Sequence, residues 1–100
     1  MSAASTPGYH DDKQALVTRL HRIEGQVRGL EKMIEDDRYC IDVLTQIAAV
    51  RTALDSVAFR LLQGHVEHCV AGALSSGDAA EAEAKAAELL ETVQRFAKTR

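Results

Sequence analysis

Two cysteines and a histidine carry the chemistry that this sequence can do: Cys40, His65 and Cys69. His65 and Cys69 are four residues apart, the spacing at which two side chains of one helix lie a turn apart on the same face and can grip one metal ion. An isolated His-x3-Cys pair suits equally well a thiol packed as a small hydrophobe beside a helix-side imidazole, so the third residue decides the reading. Cys40 precedes His65 by 25 residues. On one continuous helix rising 1.5 Å per residue that is roughly 37 Å, against coordination bonds of about 2.0–2.3 Å. If two copies of the helix pack antiparallel and cross near Asp55, Cys40 of one copy falls beside His65 and Cys69 of the other. Two-fold symmetry then makes two Cys-His-Cys sites between subunits. Two thiolates and one imidazole form a soft three-coordinate set that suits Cu(I), whereas Zn(II) would want a fourth ligand such as water, a carboxylate or His68. His68 points some 100° away from Cys69 on a helix, and His10, in an N-terminal arm, is a further possible addition. His21 sits in a basic helix, facing solvent or phosphate.

Such a site needs a long unbroken helix. From about Arg38 to Leu74 there is no proline, and Val43, Val50, Val57 and Ile47, Leu54, Leu61 keep two strict seven-residue rows. Gly64 is an interior weak point before Ser75-Ser76-Gly77. Upstream, a helix can start at Asp11 or Asp12, and its apolar residues Leu16, Leu20, Ile23, Val27, Leu30 and Ile34 alternate steps of four and three. Gly25 and Gly29 lower its propensity by roughly 1 kcal/mol each, which points to close helix approach. Glu35-Asp36-Asp37 makes a poor helix C-terminus, and Asp36 or Asp37 is placed to N-cap the second helix. A third helix opens on Asp78 as N-cap with Glu81 three residues on, and carries Leu89, Leu90, Val93 and Phe96 to an end near Lys98. The expectation is a flexible arm over 1–10 and a single all-helical domain over 11–98.

Composition agrees. At 100 residues, 46% hydrophobic and 27% charged, the chain is one globular domain. Four aromatics, one proline and no tryptophan starve a β-sandwich and favour an all-α fold. So short a chain buries a limited share of its surface, so a second copy is expected to complete the core. The net charge of −3 argues weakly against nucleic acid, but Lys13 to Lys32 holds five basic and two acidic side chains. No signal-peptide core is present and no apolar run approaches ~18 residues, so secretion and membrane insertion are not expected. The cytoplasm is the simplest location, and there the two cysteines are free thiols or metal ligands.

The segment RIEGQVRGL and the C-x24-H-x3-C spacing, within the stretch running from Arg19 through Leu54 and on to GHVEHC, resemble the CsoR/RcnR/FrmR family of bacterial metal- and thiol-responsive repressors. The match covers about residues 12–96. The resemblance implies Cu(I) sensing by Cys40, His65 and Cys69, with Cys40 from the opposite protomer. The nickel/cobalt branch has His in place of the last Cys, the formaldehyde branch lacks the full triad, and the persulfide branch has two Cys without the His. The implied assembly has three helices per chain, an antiparallel dimer forming a four-helix bundle, and dimers paired into a disc-shaped tetramer. That homotetramer would bind operator DNA when metal-free and release it on binding Cu(I). There is no helix-turn-helix; the implied DNA contacts are Arg19, Arg22, Arg51 and Arg60, with Lys13 and Lys32 at the rim. Tyr39 and Glu88 match positions that couple metal to conformation, with Glu91 as the alternative across a loop of uneven length. Neither an enzyme, nor a small-molecule substrate, nor a membrane is implied.

Four other readings stand beside this one. A thiol or persulfide switch would join Cys40 and Cys69 of partner chains and would not need His65. A Cys2His zinc hydrolase lacks a carboxylate near the ligands in sequence to act as base. A copper buffer would bind metal and regulate nothing, and an inert helical scaffold would bind no metal tightly.

Overall fold

The computed structural model describes residues 7–98, and among these it contains helices and no strand. A 3-10 turn, His10–Asp12, leads into α1 (Lys13–Glu35), and α2 (Cys40–Gly64) follows. A π-helical turn, His65–Val70, joins α2 to the short α3 (Ala71–Ser75), and α4 (Ala79–Lys98) closes the chain. The expected long second helix is therefore helical from Cys40 to Ser75 but changes character at His65. It also starts two residues later than the sequence suggests. Of the expected N-terminal arm, residues 1–6 lie outside the described residues. The chain divides into two compact units, Tyr9–Leu62 on one hand and Gln63 onward with Pro7 and Gly8 on the other.

The Tyr9–Leu62 unit is an antiparallel helical hairpin. Leu16 and Ile23 of α1 and Val50 and Val57 of α2 are buried together, with Leu30 and Ala53 packed against them; Val43 is buried as well. One seven-residue row from each helix thus makes the core. Burying each such side chain contributes about 1.5–3 kcal/mol. The sister rows, Leu20-Val27-Ile34 and Ile47-Leu54-Leu61, stay 37% to 63% exposed. Polar contacts fix the pairing: Arg19 Nη1 donates to Ser56 Oγ at 3.2 Å, and Arg60 reaches Asp12 beside the start of α1. The helix glycines do not serve a close approach inside the hairpin. A Cβ at Gly29 would meet nothing, and one at Gly25 only the Arg28 guanidinium at 3.8 Å.

The turn between α1 and α2 corrects the expected cap. Asp36 is the C-cap of α1, not an N-cap of α2. Asp37 follows in the left-handed region at φ 54°, its N–H donating to Ile34 O at 3.1 Å, while Arg38 N–H donates to Met33 O at 3.0 Å. These nested bonds satisfy carbonyls that the helix end would otherwise leave open, and they are normally built around glycine. The first amides of α2, Asp42 and Val43, donate instead to the Tyr39 carbonyl.

In the second unit α4 opens as the sequence suggests. Asp78 Oδ1 accepts the N–H groups of Ala80 at 3.0 Å and Glu81 at 3.2 Å, satisfying amides that have no partner within the helix. The π-helical turn and α3 pack on α4 and on each other, with Val70 and Ala73 buried. No residue of α4 is buried, and Leu90, Val93 and Phe96 lie open. Among the described residues no helix is long and apolar enough to cross a membrane.

Candidate metal centre

His65 and Cys69 share the π-helical turn, a six-residue stretch in which amides reach back five residues. Such wide turns are rare and concentrate at functional sites. The sequence carries no direct sign of it, because the i, i+4 spacing of the two residues reads the same in an α-helix; the glycine just before it, Gly64, is the only hint. Both side chains are half-buried, while His68 is exposed. Gly8 lies against the entrance to the turn: a Cβ there would stand 2.5 Å from the Gly64 carbonyl oxygen and 3.0 Å from His65 Cα. No residue larger than glycine passes there without moving the backbone.

Glu88 on α4 lies over the same turn, with Oε1 at 3.6 Å from His65 Nε2. That is longer than a hydrogen bond but leaves the carboxylate facing the ring edge. Lys85, one turn earlier, brings Nζ to 3.8 Å from the same oxygen and anchors it. Glu91, the other sequence candidate, is engaged by Arg95 Nη2 at 2.7 Å.

Cys40 and Tyr39 belong to the Tyr9–Leu62 unit. Cys40 is the first residue of α2 and exposed. Tyr39 precedes it with its ring 66% exposed and its carbonyl holding the first turn of the helix. Among the described residues, no three His, Cys, Asp or Glu side chains of the single chain gather to hold a metal.

The basic candidates divide as well. Arg19, Arg22 and Arg60 line one open groove of about 330 Å³, together with Gln14, Ala15 and Thr18. Arg60 forks onto Asp12, with Nε donating to Oδ2 at 2.8 Å and Nη2 to Oδ1. These hydrogen bonds hold the Asp12 carboxyl below its ordinary value of 3.8; desolvation opposes them, and the charges of Arg60 and Arg19 add to the lowering. Arg51, Lys13 and Lys32 are exposed and lie outside that groove. Asp12 is absent from any reading of the sequence as a site residue, since an acidic residue before a helix reads as a cap.

Three comparisons bear on what this arrangement is for. The family profile described as metal-sensitive transcriptional repressor matches residues 12–95. The chain is 49% identical over 88 residues to the copper-sensing transcriptional repressor CsoR of Bacillus subtilis (strain 168), covering 88% of this chain and 84% of that one. Among solved structures it resembles the copper-sensing repressor CsoR with Cu(I) from Geobacillus thermodenitrificans NG80-2, with TM-score 0.80, 42% identity and coverage of 97% of this chain and 94% of that one. It also resembles the nickel-responsive transcriptional regulator InrS, with TM-score 0.72, 46% identity and coverage of 83% and 90%.

Proposed function

The chain belongs to the metal-sensitive transcriptional repressor family, and from that premise we propose that it is a copper(I)-responsive repressor. It holds operator DNA when metal-free and lets go when Cu(I) binds. The observation that carries the reading is the turn His65–Val70, which presents an imidazole and a thiol together with the Glu88 carboxylate 3.6 Å from His65 Nε2. The copper-sensing names of its relatives point the same way.

Cys40 of one protomer, with His65 and Cys69 of the other, would hold the ion. Supporting this are the exposed position of Cys40 at the head of α2 and the 25-residue length of that helix, which ends just before His65. The donor set fits: two thiolates and an imidazole match a soft monovalent ion with low coordination number. When bound, such an ion supplies a link between protomers. Glu88 orients the His65 ring from its Nε2 side, so that the position of α4 depends on the state of the imidazole. Tyr39, adjacent to the thiol of Cys40, plays the corresponding part on the other protomer.

The exposed rows Leu20-Val27-Ile34 and Ile47-Leu54-Leu61 support an antiparallel dimer, with the two hairpins forming a four-helix bundle. The open apolar face of α4 supports pairing of dimers into a tetramer. DNA is held by phosphate contacts from Arg19, Arg22, Arg51, Arg60 and Lys13. These repeat in each protomer and so offset the net charge of −3. Linkage then requires DNA to weaken copper binding by the same factor by which copper weakens DNA binding.

Nickel is the second reading, favoured by the 46% identity to a nickel-responsive regulator. It would require a fourth ligand in a planar set, and His68 or His10 would have to supply it. The deciding experiment is anaerobic fluorescence anisotropy of the reduced protein on labelled DNA from upstream of its own gene, titrated separately with Cu(I), Ni(II) and Zn(II). Release by one Cu(I) per protomer and by neither other ion is the expected result. Release by Ni(II) alone makes the protein a nickel sensor, release by a persulfide donor alone makes it a thiol switch, and tight Cu(I) uptake without DNA binding makes it a buffer.

A further inference from the structure

The groove formed by Gln14, Ala15, Thr18, Arg19, Arg22 and Arg60 holds three guanidinium groups in about 330 Å³ of open space. Two of them are already committed in part. Arg19 gives Nη1 to Ser56 Oγ, and Arg60 gives its Nε and Nη2 to the two carboxylate oxygens of Asp12. A guanidinium has five N–H donors, so Arg60 keeps its outer edge while its best bidentate edge is taken. A phosphodiester offers the same two-oxygen fork as a carboxylate. Asp12 therefore occupies the position on Arg60 that a DNA phosphate would compete for, and it places a negative charge in the field of Arg19 as well.

We propose that this groove is a phosphodiester receptor in which Asp12 acts as a built-in competing anion, holding the affinity of Arg60 and its neighbours for DNA below what three arginines would otherwise give. The proposal rests on the repressor reading for its ligand. The acid-arginine fork has a second consequence, since it pins the start of α1 to the last turns of α2. Removing the charge while keeping the shape separates the two effects. Asp12→Asn keeps an oxygen acceptor for Arg60 Nε and removes the competing charge; Asp12→Ser removes the fork altogether.

The test uses the full-length, metal-free protein, with helicity and melting followed by circular dichroism. Two readouts are compared between wild type and both variants: binding to a duplex from upstream of the gene as a function of salt, and the salt concentration that elutes the protein from immobilised heparin. Neutralising a charge about 5 Å from an incoming phosphate is expected to tighten duplex binding roughly threefold per groove engaged. The slope of log K against log salt should steepen by about 0.9 for each additional phosphate that the freed arginines neutralise. Both variants should elute later from heparin. Unchanged binding and elution in two folded variants would reduce the fork to a structural staple and overturn the proposal. Weaker binding would overturn it too, by showing that Asp12 presents Arg60 to DNA. If the duplex is bound by neither protein yet heparin elution shifts, the groove stands as an anion receptor and the repressor reading falls.

Discussion

Glu88 and His65 face one another across the second unit, carboxylate oxygen to Nε2 at 3.6 Å, although 23 residues separate them in the chain. This pairing singles out Glu88 from Glu91, whose carboxylate is engaged by Arg95. Glu88→Gln is expected to leave Cu(I) binding in place but to cut the copper-induced loss of DNA affinity by about tenfold, the usual scale for residues that orient a ligand. Glu91→Gln should leave it unchanged. Parallel anisotropy titrations of the two variants check this.

Mixed dimers test where the ligands come from. Cys40→Ala and Cys69→Ala homodimers should each have no complete Cys-His-Cys site. A heterodimer of the two, isolated through different affinity tags, should regain one site of wild-type affinity and carry one tightly held Cu(I) per dimer. Chelator competition measures this, and a heterodimer with no tight site would place all the ligands within one chain.

Leu54 lies in the middle of a row left 46% exposed by its own chain. Leu54→Glu should replace the proposed dimer by a monomer of reduced stability. Burying its remaining exposed surface against a second copy contributes about 0.7–1.4 kcal/mol per protomer. Light scattering after size exclusion reads the mass directly, and an unchanged oligomer would remove the row from the interface.

The fork between Arg60 and Asp12 sets a pH signature. Because hydrogen bonding lowers the folded-state pKa of Asp12 from 3.8, its contribution to stability is complete above the ordinary carboxylate range. It is lost as pH falls through the depressed value. The melting-temperature gap between wild type and Asp12→Asn should therefore be full at pH 6–7, start to narrow near pH 3.8 and close below it. A gap that widens on acidification contradicts the assignment.

At Asp37 the backbone holds a left-handed conformation, φ 54°, that costs an L-residue roughly 1 kcal/mol. Asp37→Gly should raise stability by up to about 1 kcal/mol, since the relief of strain exceeds the entropy that glycine returns to the unfolded chain. A β-branched Asp37→Val should lower it by a comparable or larger amount. Denaturant midpoints at constant m-value decide both.

The seven-residue rows were fully legible in the sequence, because periodicity reports which positions are apolar and on which side of a helix they fall. Periodicity does not report whose surface they meet. Val43, Val50 and Val57 are buried within the chain while Ile47, Leu54 and Leu61 are open, and the smaller valines and larger Ile and Leu are equally apolar signals that do not say which row the chain covers itself. The Asp78 cap was equally legible, since a short acceptor before a helix has one obvious use. The Asp36-Asp37 pair misled for the same reason: aspartate caps helices and also tolerates the left-handed region, and the second property is the one used here. The proposed ligands Cys40, His65 and Cys69 could be named from spacing. The widened turn under two of them could not, because reaching back five residues instead of four leaves no mark on composition. Nor could the partner of Asp12, an ion pair across 48 residues that only the closed hairpin creates.

The uncovered rows on α1 and α2 have a bearing on how the protein would be managed in a cell. In the proposed dimer each core is completed by a second copy, so folding would follow a bimolecular law and each tenfold rise in chain number would add about 1.4 kcal/mol to the stability of the pair. Gene dosage then becomes a stability parameter. A repressor built this way would harden as it accumulates, and one that falls below its pairing threshold would be left to proteases with its apolar rows exposed.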